Sequence, residues 1–401
     1  NELTQLANAY DFLRRLEHRL QMENGLQTHI VPDEAEKRLL IAKRMNCKGL
    51  AELDETLGFH TQNVNGIFQR VFGNQPFKTN QIEQQSHHTE LLKSIEKSDE
   101  QVYLTEEKAE SLSDFSQLSP YFSEMLTANP ALLKTLPKFE DEYVEKNYEE
   151  LFRVEIERAE SFAQELAILR KIWSRFLLEI AFFDIFEKIT QYESKDAQTR
   201  LAKASLTIAH EITKRELSKR YGKFNQLNLA ILGLGKLGGR GMDYGSDLDL
   251  ILVYDDKKPL PFDNLTHAEF YAKATEILVT VLSSFTREGN LYRVDLRLRP
   301  DGKNGATCLN KSAFLSYFQN RSAMWEWLAY VKIRGVAGDV KLALETEKEI
   351  RAILHQKAQS ADIDELRNET LRVRERLEKE KLESRSKKEI NIKFGEGGML
   401  D

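Results

Sequence analysis

Apolar positions recur along most of this chain at the three- and four-residue steps of helices buried on one side. Residues 1–22 carry Leu3, Leu6, Tyr10, Leu13, Leu16 and Leu20 on one stripe, which predicts a helix from the outset. The same spacing runs on through residues 34–73, at Leu39, Leu40, Met45, Leu50, Leu53, Leu57, Val64, Ile67 and Val71, until Gly73-Asn74-Gln75-Pro76 breaks it. Residues 74–100 are polar and poor in apolar side chains, and read as a linker in which His87-His88 are solvated rather than metal-binding. Helical spacing resumes at Ala109. Ser119-Pro120 and Asn129-Pro130 place proline at a first helical position. A long helical region then covers 139–220, with Phe176, Leu177, Ile180, Phe183 and Phe186 as core, and Tyr221-Gly222 ends it.

From about Leu227 the period shortens to that of strands. Leu229 to Tyr254, LAILGLGKLGGRGMDYGSDLDLILVY, reads as an apolar strand, a glycine-rich loop and a second apolar strand. Side chains alternate along a strand, so Asp247 and Asp249 project from one face while Leu248 and Leu250 take the other. Thr266-His267-Ala268-Glu269 is a capping box. It opens a helix whose buried stripe is Phe270, Ala274, Ile277, Leu278, Val281, Leu282 and Phe285, with Gly289 after its end. Leu291 to Pro300, LYRVDLRLRP, alternates strictly and predicts a third strand, with Arg293, Asp295, Arg297 and Arg299 on its polar face. Gly302 and Gly305 allow a turn. Residues 311–334 read as helical, packed through Phe314, Tyr317, Phe318, Met324, Trp325 and Leu328, and 341–388 as a strongly charged helical stretch. Strand, loop, strand, helix, strand within a helical chain predicts an α+β fold class. Its divisions are helices over 1–75, a linker over 76–108, a helical lead-in over 109–222, a mixed core over 223–340 and a charged helical segment over 341–401.

The candidate chemistry concentrates in the strands. Gly233-Leu234-Gly235-Lys236-Leu237-Gly238 fits the dinucleotide fingerprint, but the next strand begins near Leu248 and leaves no room for a crossover helix. A phosphate-binding P-loop fails too, because Leu237 rather than Ser or Thr follows Lys236. Two carboxylates on one sheet edge repel each other and need a cation, and hard oxygen ligands point to Mg²⁺. Gly245-Ser246 offers a turn whose backbone N–H groups can hold a phosphate. Asp295 supplies a third carboxylate, with arginine forks beside it. Two Mg²⁺ ions shared by three carboxylates activate an attacking hydroxyl and steady a departing pyrophosphate. The competing interpretation is a plain polar sheet face, which weakens once this strand is combined with GSDLD.

Composition narrows the setting. The formal charge is -6, with 58 Lys and Arg against 64 Asp and Glu, which argues against a dominant nucleic-acid footprint. Cys47 and Cys308 lie far apart and suggest no disulfide framework, so a reducing cytoplasm is the simplest compartment. No apolar run reaches the length of a membrane span, and the N-terminus has no signal-peptide pattern. The eight histidines form no helical pair with a carboxylate partner, so zinc has no support.

Gly-Ser followed by Asp-x-Asp resembles the active-site signature of nucleotidyltransferases. A wider resemblance is to the glutamine-synthetase adenylyltransferases, bifunctional enzymes that attach AMP to glutamine synthetase and remove it. GKLGGRGMDYGSDLDLI at 235–251 and VDLRLRPDGKNG at 294–305 are similar to that family's catalytic motifs. AYDFLRRLEHRLQ at 9–21 with Gln27-Thr28-His29, SPYFSEMLTANPALL at 119–133 and IKFGEGGMLD at 392–401 resemble flanking helical segments in the family's order. The resemblance implies a nucleotidyltransferase core of the DNA polymerase beta type, one of two halves, preceded by the helical tail of the first. It also implies the second, adenylylating half, with deadenylylation by phosphorolysis as the alternative. The start at Asn1 and the stop at Asp401 are then those of an internal fragment. In that setting Asp247, Asp249 and Asp295 hold two Mg²⁺, and Gly245 and Ser246 cradle the triphosphate of ATP. A tyrosine hydroxyl attacks the α-phosphorus, Asp295 acts as base, and Arg297 or Arg299 stabilises developing charge. Lys236 either contacts phosphate or closes the loop. The implied partners are glutamine synthetase, a PII-type signal protein and glutamine as an effector, with neither nucleic acid nor membrane. The chain departs from the family pattern at Trp325-Glu326-Trp327-Leu328-Ala329-Tyr330 and at Phe183-Asp184, which bears on substrate or partner contacts. Two rival readings are a nucleotidyltransferase with a small-molecule or nucleic-acid acceptor, and a non-catalytic scaffold.

Overall fold

Residues 2–24, 29–72, 119–260 and 265–382 are described by the computed structural model, together with 91, 94, 95, 98, 112, 115, 262 and 390–393. Most of the segment read as a linker, His87-His88 and the glycine turn from Gly395 to Asp401 lie outside the described residues. Within the linker range Leu91 and Ile95 are described, and both are buried. The strands are, in chain order, β1 (Ile30–Val31), β2 (Leu229–Gly233), β3 (Leu248–Tyr254), β4 (Val294–Asp295), β5 (Leu309–Asn310), β6 (Arg334–Gly338) and β7 (Ile390–Asn391). The chain forms two compact units. One comprises residues 1–142, 181–191 and 371–401, and the other 143–180 and 192–370.

The first unit is helical. Helices Glu2–Asn24, Ala35–Arg44 and Leu50–Phe72 follow the apolar spacing that predicts them. Phe12, Leu13, Leu16 and Leu20 pack with Ile41, Ala42, Leu53 and Leu57, with Val31 from the short antiparallel β1–β7 ribbon, and with Ile392 just after it. Ala9 and Phe12 complete the buried stripe, so Tyr10 faces outward, where it lies under the Arg14 guanidinium. The same helix buries Glu17, His18 and Arg19. His18 Nε2 stands 2.5 Å from Asp184, Arg19 Nη1 donates to Asp184 Oδ1 at 2.9 Å, and Glu17 meets Arg14 and His29. Buried charges survive only when paired in this way.

The second unit carries a five-stranded mixed sheet in the order β4-β3-β2-β6, with β5 pairing β3 as well. β2 and β3 form a wide antiparallel hairpin, Leu229 opposite Tyr254 and Gly233 opposite Leu250. The glycine loop between them contains only the single helical turn Gly235–Gly238, which bears out the rejection of the dinucleotide fold. Helix His267–Ser283 starts at the expected capping box, with Thr266 accepting from Glu269 N–H and the Glu269 carboxylate accepting from Thr266 N–H. It is a crossover that returns the chain parallel to β3, as β4. Phe285, expected on its buried stripe, lies beyond the helix end and is 84% exposed.

Two segments differ from their expected element type. Leu291 to Pro300 is a strand only at Val294–Asp295. The Asp295 carboxylate takes the backbone N–H of Arg297 at 2.8 Å, a local turn that competes with the ladder. Further turns follow, with Arg299 N–H to Leu296 O and Gly302 N–H to Arg299 O. The helical reading of 311–334 resolves into helices Lys311–Asn320 and Met324–Tyr330, and then the unanticipated strand β6. Arg334-Gly335-Val336-Ala337-Gly338 has little strand propensity of its own. It pairs antiparallel with fully buried β2, and Gly335 lets helix Val340–Ser360 approach closely at Ala343. Within Met324–Tyr330 the buried side chains are Glu326 and Tyr330, while Trp325 is 39% exposed. Phe314, Tyr317 and Phe318 pack against the sheet as the spacing predicts.

Candidate active site

The edge of the sheet at the start of β3 gathers the acidic residues. Asp249 and Asp295 are directly paired across the parallel β3–β4 ladder, and Leu248 pairs with Val294. Asp247 is the residue before β3. Leu248 and Leu250 are buried while Asp247 and Asp249 are half-buried, the alternation expected of a strand with one face on the core. Leu248 N–H donates to Arg293 O at 2.8 Å, and Leu234 N–H to Asp249 O at 2.9 Å, so both neighbouring segments are tied to this edge.

Gly235 shapes the floor. Its φ is +51°, and a β-carbon there would overlap the Asp249 carboxylate. Glycine is therefore needed both for its left-handed backbone and for the space it leaves. The loop is closed by a buried ion pair, Lys236 Nζ to Asp243 Oδ2 at 2.8 Å, with Lys195 Nζ 3.5 Å from the other oxygen. Gly245 has φ +68°. Ser246 is buried, its N–H donating to Asp243 O and its hydroxyl accepting from Asp243 N–H, both at 3.1 Å. Lys236 thus closes the loop here, and the Gly245-Ser246 turn is locked by Asp243.

Arginines neutralise two of the three carboxylates. Arg293 Nε donates to Asp247 Oδ1 at 2.5 Å, and Arg293 Nη2 donates to Gly245 O at 3.2 Å. Arg297 grips Asp295 through Nε and Nη2, at 2.9 and 2.5 Å to Oδ2. Burial opposes the charge on Asp295, but the hydrogen bonds from Arg297 and the nearby Arg297 and Arg299 charges hold its carboxyl below the ordinary value. Arg299 instead ties down the following loop, donating to the carbonyls of Gly305, Leu296 and Lys303.

The donor set suits a hard divalent cation: two carboxylates on adjacent strands and a third just before one of them, already faced by positive charge. Among the described residues no three potential ligands are yet gathered around one point, Asp247 and Asp295 each being held by its arginine. Those arginine side chains are 51% and 70% exposed, so they can exchange a carboxylate for a phosphate without disturbing the core.

The sequence marks Asp247, Asp249 and Asp295 and groups Arg293 with Asp295 on one strand face, but it assigns no part in the site to Gly235, Asp243 or Lys195. Arg293 sat on the polar face of LYRVDLRLRP and was readable as a partner. Lys195 comes from helix Gln191–Tyr221 and carried no local signal.

Residues 109–349, more than half of the chain, match the family model described as glutamate-ammonia ligase adenylyltransferase. Residues 1–72 match the model described as GlnD PII-uridylyltransferase. No helix among the described residues is long and apolar enough to cross a membrane.

Proposed function

The chain belongs to the glutamate-ammonia ligase adenylyltransferase family, nucleotidyltransferases that regulate glutamine synthetase, and we propose that it carries the adenylylating activity. It transfers AMP from ATP to a tyrosine hydroxyl of glutamine synthetase and releases pyrophosphate. The observation that carries this reading is the pairing of Asp249 with Asp295 across β3 and β4, with Asp247 two residues earlier on the same edge. The order of the two matches, a helical N-terminal one before the catalytic one, supports a second half preceded by the tail of a first.

Asp247, Asp249 and Asp295 would hold Mg²⁺, which when bound would neutralise phosphate charge and make the attacking hydroxyl more acidic. Arg293 and Arg297 turn from the carboxylates to the phosphate oxygens, where their planar forks match oxyanion geometry. Gly245 and Ser246 present the rigid turn over which the triphosphate lies. Asp295 accepts the tyrosine proton as the oxygen attacks the α-phosphorus. Lys236 and Arg299 act through the loops they brace, Lys236 by its pair with Asp243 and Arg299 by three carbonyls. A PII-type protein and glutamine are the proposed regulators, and the cytoplasm the proposed compartment.

Two reactions on one substrate test the assignment. With α-labelled ATP and Mg²⁺, unmodified glutamine synthetase gains label, whereas an aminoglycoside or tRNA added as acceptor gains none. If instead inorganic phosphate strips AMP from the modified synthetase and no label transfers forward, the removing activity replaces the attaching one.

A further inference from the structure

The helical turn Gly235–Gly238 meets Asp249 at its first residue, and four basic residues gather at its other end: Lys203, Arg240, Lys332 and Arg334. We propose that these four form a binding site for a phosphate group, supplied either by the terminal phosphates of ATP or by free inorganic phosphate. The first source rests on the nucleotidyl-transfer reading; the site itself does not.

Separate contacts bring the four together. Arg334 opens β6 opposite Gly233, the last residue of β2, and its Nη2 donates to Leu237 O at 2.6 Å. The stem of Lys332 covers Gly239, where a β-carbon would stand 3.1 Å from Lys332 Cδ, and Arg240 follows directly. Helix Gln191–Tyr221 runs past the same loop on another side. Its Lys195 stands 3.5 Å from Asp243, and its Thr199 hydroxyl accepts from Met242 N–H at 3.2 Å. Lys203 is the next residue on that face, and the charges of Arg334 and Arg240 both act on its amine.

The positive charge here is unmatched. Asp243 serves Lys195 and Lys236, but among the described residues no carboxylate lies within ion-pairing distance of Lys203, Arg240, Lys332 or Arg334. The acids whose charge reaches the cluster are Glu149, Asp196 and Glu347, and each is held by another arginine, Arg153, Arg200 and Arg351 in turn. Lys203 and Arg334 are half-buried, and Arg334 Nε is buried with no hydrogen-bond partner. Burial, and then the nearest guanidinium charge, pushes both groups below their ordinary values, Arg334 acting on Lys203 and Arg240 on Arg334. Crowding like charges out of water and leaving a charged donor unsatisfied are both unfavourable until an anion arrives. The half-buried floor favours a compact anion over a protein surface. A phosphate group is compact, multiply charged and matched to arginine forks. Arg240 and Lys332 are exposed, so it can enter from solvent. Arg334 and Leu250 flank Gly233 on its two sides in the sheet. Two strand spacings, roughly 10 Å, therefore separate the basic end from the acidic one. The tail of a nucleotide held at the carboxylates can span that gap, and a separate ion has room beside it.

Isothermal calorimetry on the full chain tests this, with inorganic phosphate, ATP and AMP as probes, Mg²⁺ throughout, and chloride at equal ionic strength as the blank. The variant is Arg240→Gln/Lys332→Gln, at two exposed positions. Affinity for inorganic phosphate, for ATP or for both should fall by roughly tenfold or more. Affinity for AMP, which has no terminal phosphates, should be unchanged. Phosphate heat that persists under saturating ATP assigns the site to free phosphate; its loss under ATP, or an effect on ATP alone, assigns it to the nucleotide tail. The proposal is overturned if neither phosphate nor ATP binds the variant more weakly, or if AMP weakens equally with either of them. Should ATP not bind at all, the nucleotidyl-transfer reading fails and the phosphate titration alone decides.

Discussion

Gly235 and Asp249 occupy space that only one of them can fill. A methyl at Gly235 would overlap the Asp249 carboxylate and would force an L-residue into left-handed backbone, at about 1–2 kcal/mol for the backbone alone. Gly235→Ala should therefore lower kcat for AMP transfer by roughly a hundredfold, with a much smaller change in Tm. Equal kcat for both proteins would refute the geometric role. Asp295 gives a second residue-level test. Its folded carboxyl titrates below the ordinary value, so it adds stability above about pH 3.9 and loses that contribution as pH falls through its lowered folded value. Because the Arg297 side chain is 70% exposed, the contribution stays below about 1 kcal/mol. Losing the guanidinium removes its hydrogen bonds and its charge, while the backbone N–H of residue 297 and the Arg299 charge still favour the carboxylate. In Arg297→Gln a carbon-detected NMR titration should show the Asp295 midpoint moving up; an unmoved midpoint would contradict the pairing.

Elements differ in how openly their sequences declare them. The capping box at Thr266 and Glu269 sets the start of helix His267–Ser283, because both groups act within four residues of each other. Thr266→Ala should cost about 1 kcal/mol in urea unfolding, and a change near zero would mean the cap is not used. The other end was illegible. Arg170, from helix Phe162–Ile185, donates to the carbonyls of Val281, Ser284 and Gly289 and to the Ser284 hydroxyl, and so fixes the turn that leads into β4. Nothing in the local spacing reveals a partner 111 to 119 residues away. Arg170→Met leaves those buried acceptors without their donor and should destabilise the fold by about 3 kcal/mol or more, measured by the same unfolding experiment. Strand β6 was hidden for a different reason. Its two glycines lower strand propensity but are what close packing at Ala343 and the turn after Ala337 require, Gly338 having φ +81°. LYRVDLRLRP shows the converse, since a perfect alternation was overridden by one Asp side chain turning to its own backbone.

At the scale of the whole molecule, the sequence disclosed the α+β class, the hairpin around the glycine loop and the position of the acidic strand, because each rests on periodicity within about twenty-five residues. The family match over 109–349 agrees with the motifs at 235–251 and 294–305. Contacts between distant segments were not readable. The His18–Asp184 and Arg19–Asp184 pairs join residues 166 and 165 positions apart, and no local pattern announces them. The arginine hold on Asp247 and Asp295 is likewise a tertiary fact, visible only once β3 and β4 lie side by side. The central claim is that this pair of strands carries nucleotidyl transfer, and the most direct measurement is the transfer of label from α-labelled ATP to purified glutamine synthetase. Wild type is compared with Asp247→Ala/Asp249→Ala, after circular dichroism has shown both to be folded. Label on the synthetase with wild type and none with the variant is the predicted result, and equal labelling by both proteins would contradict it.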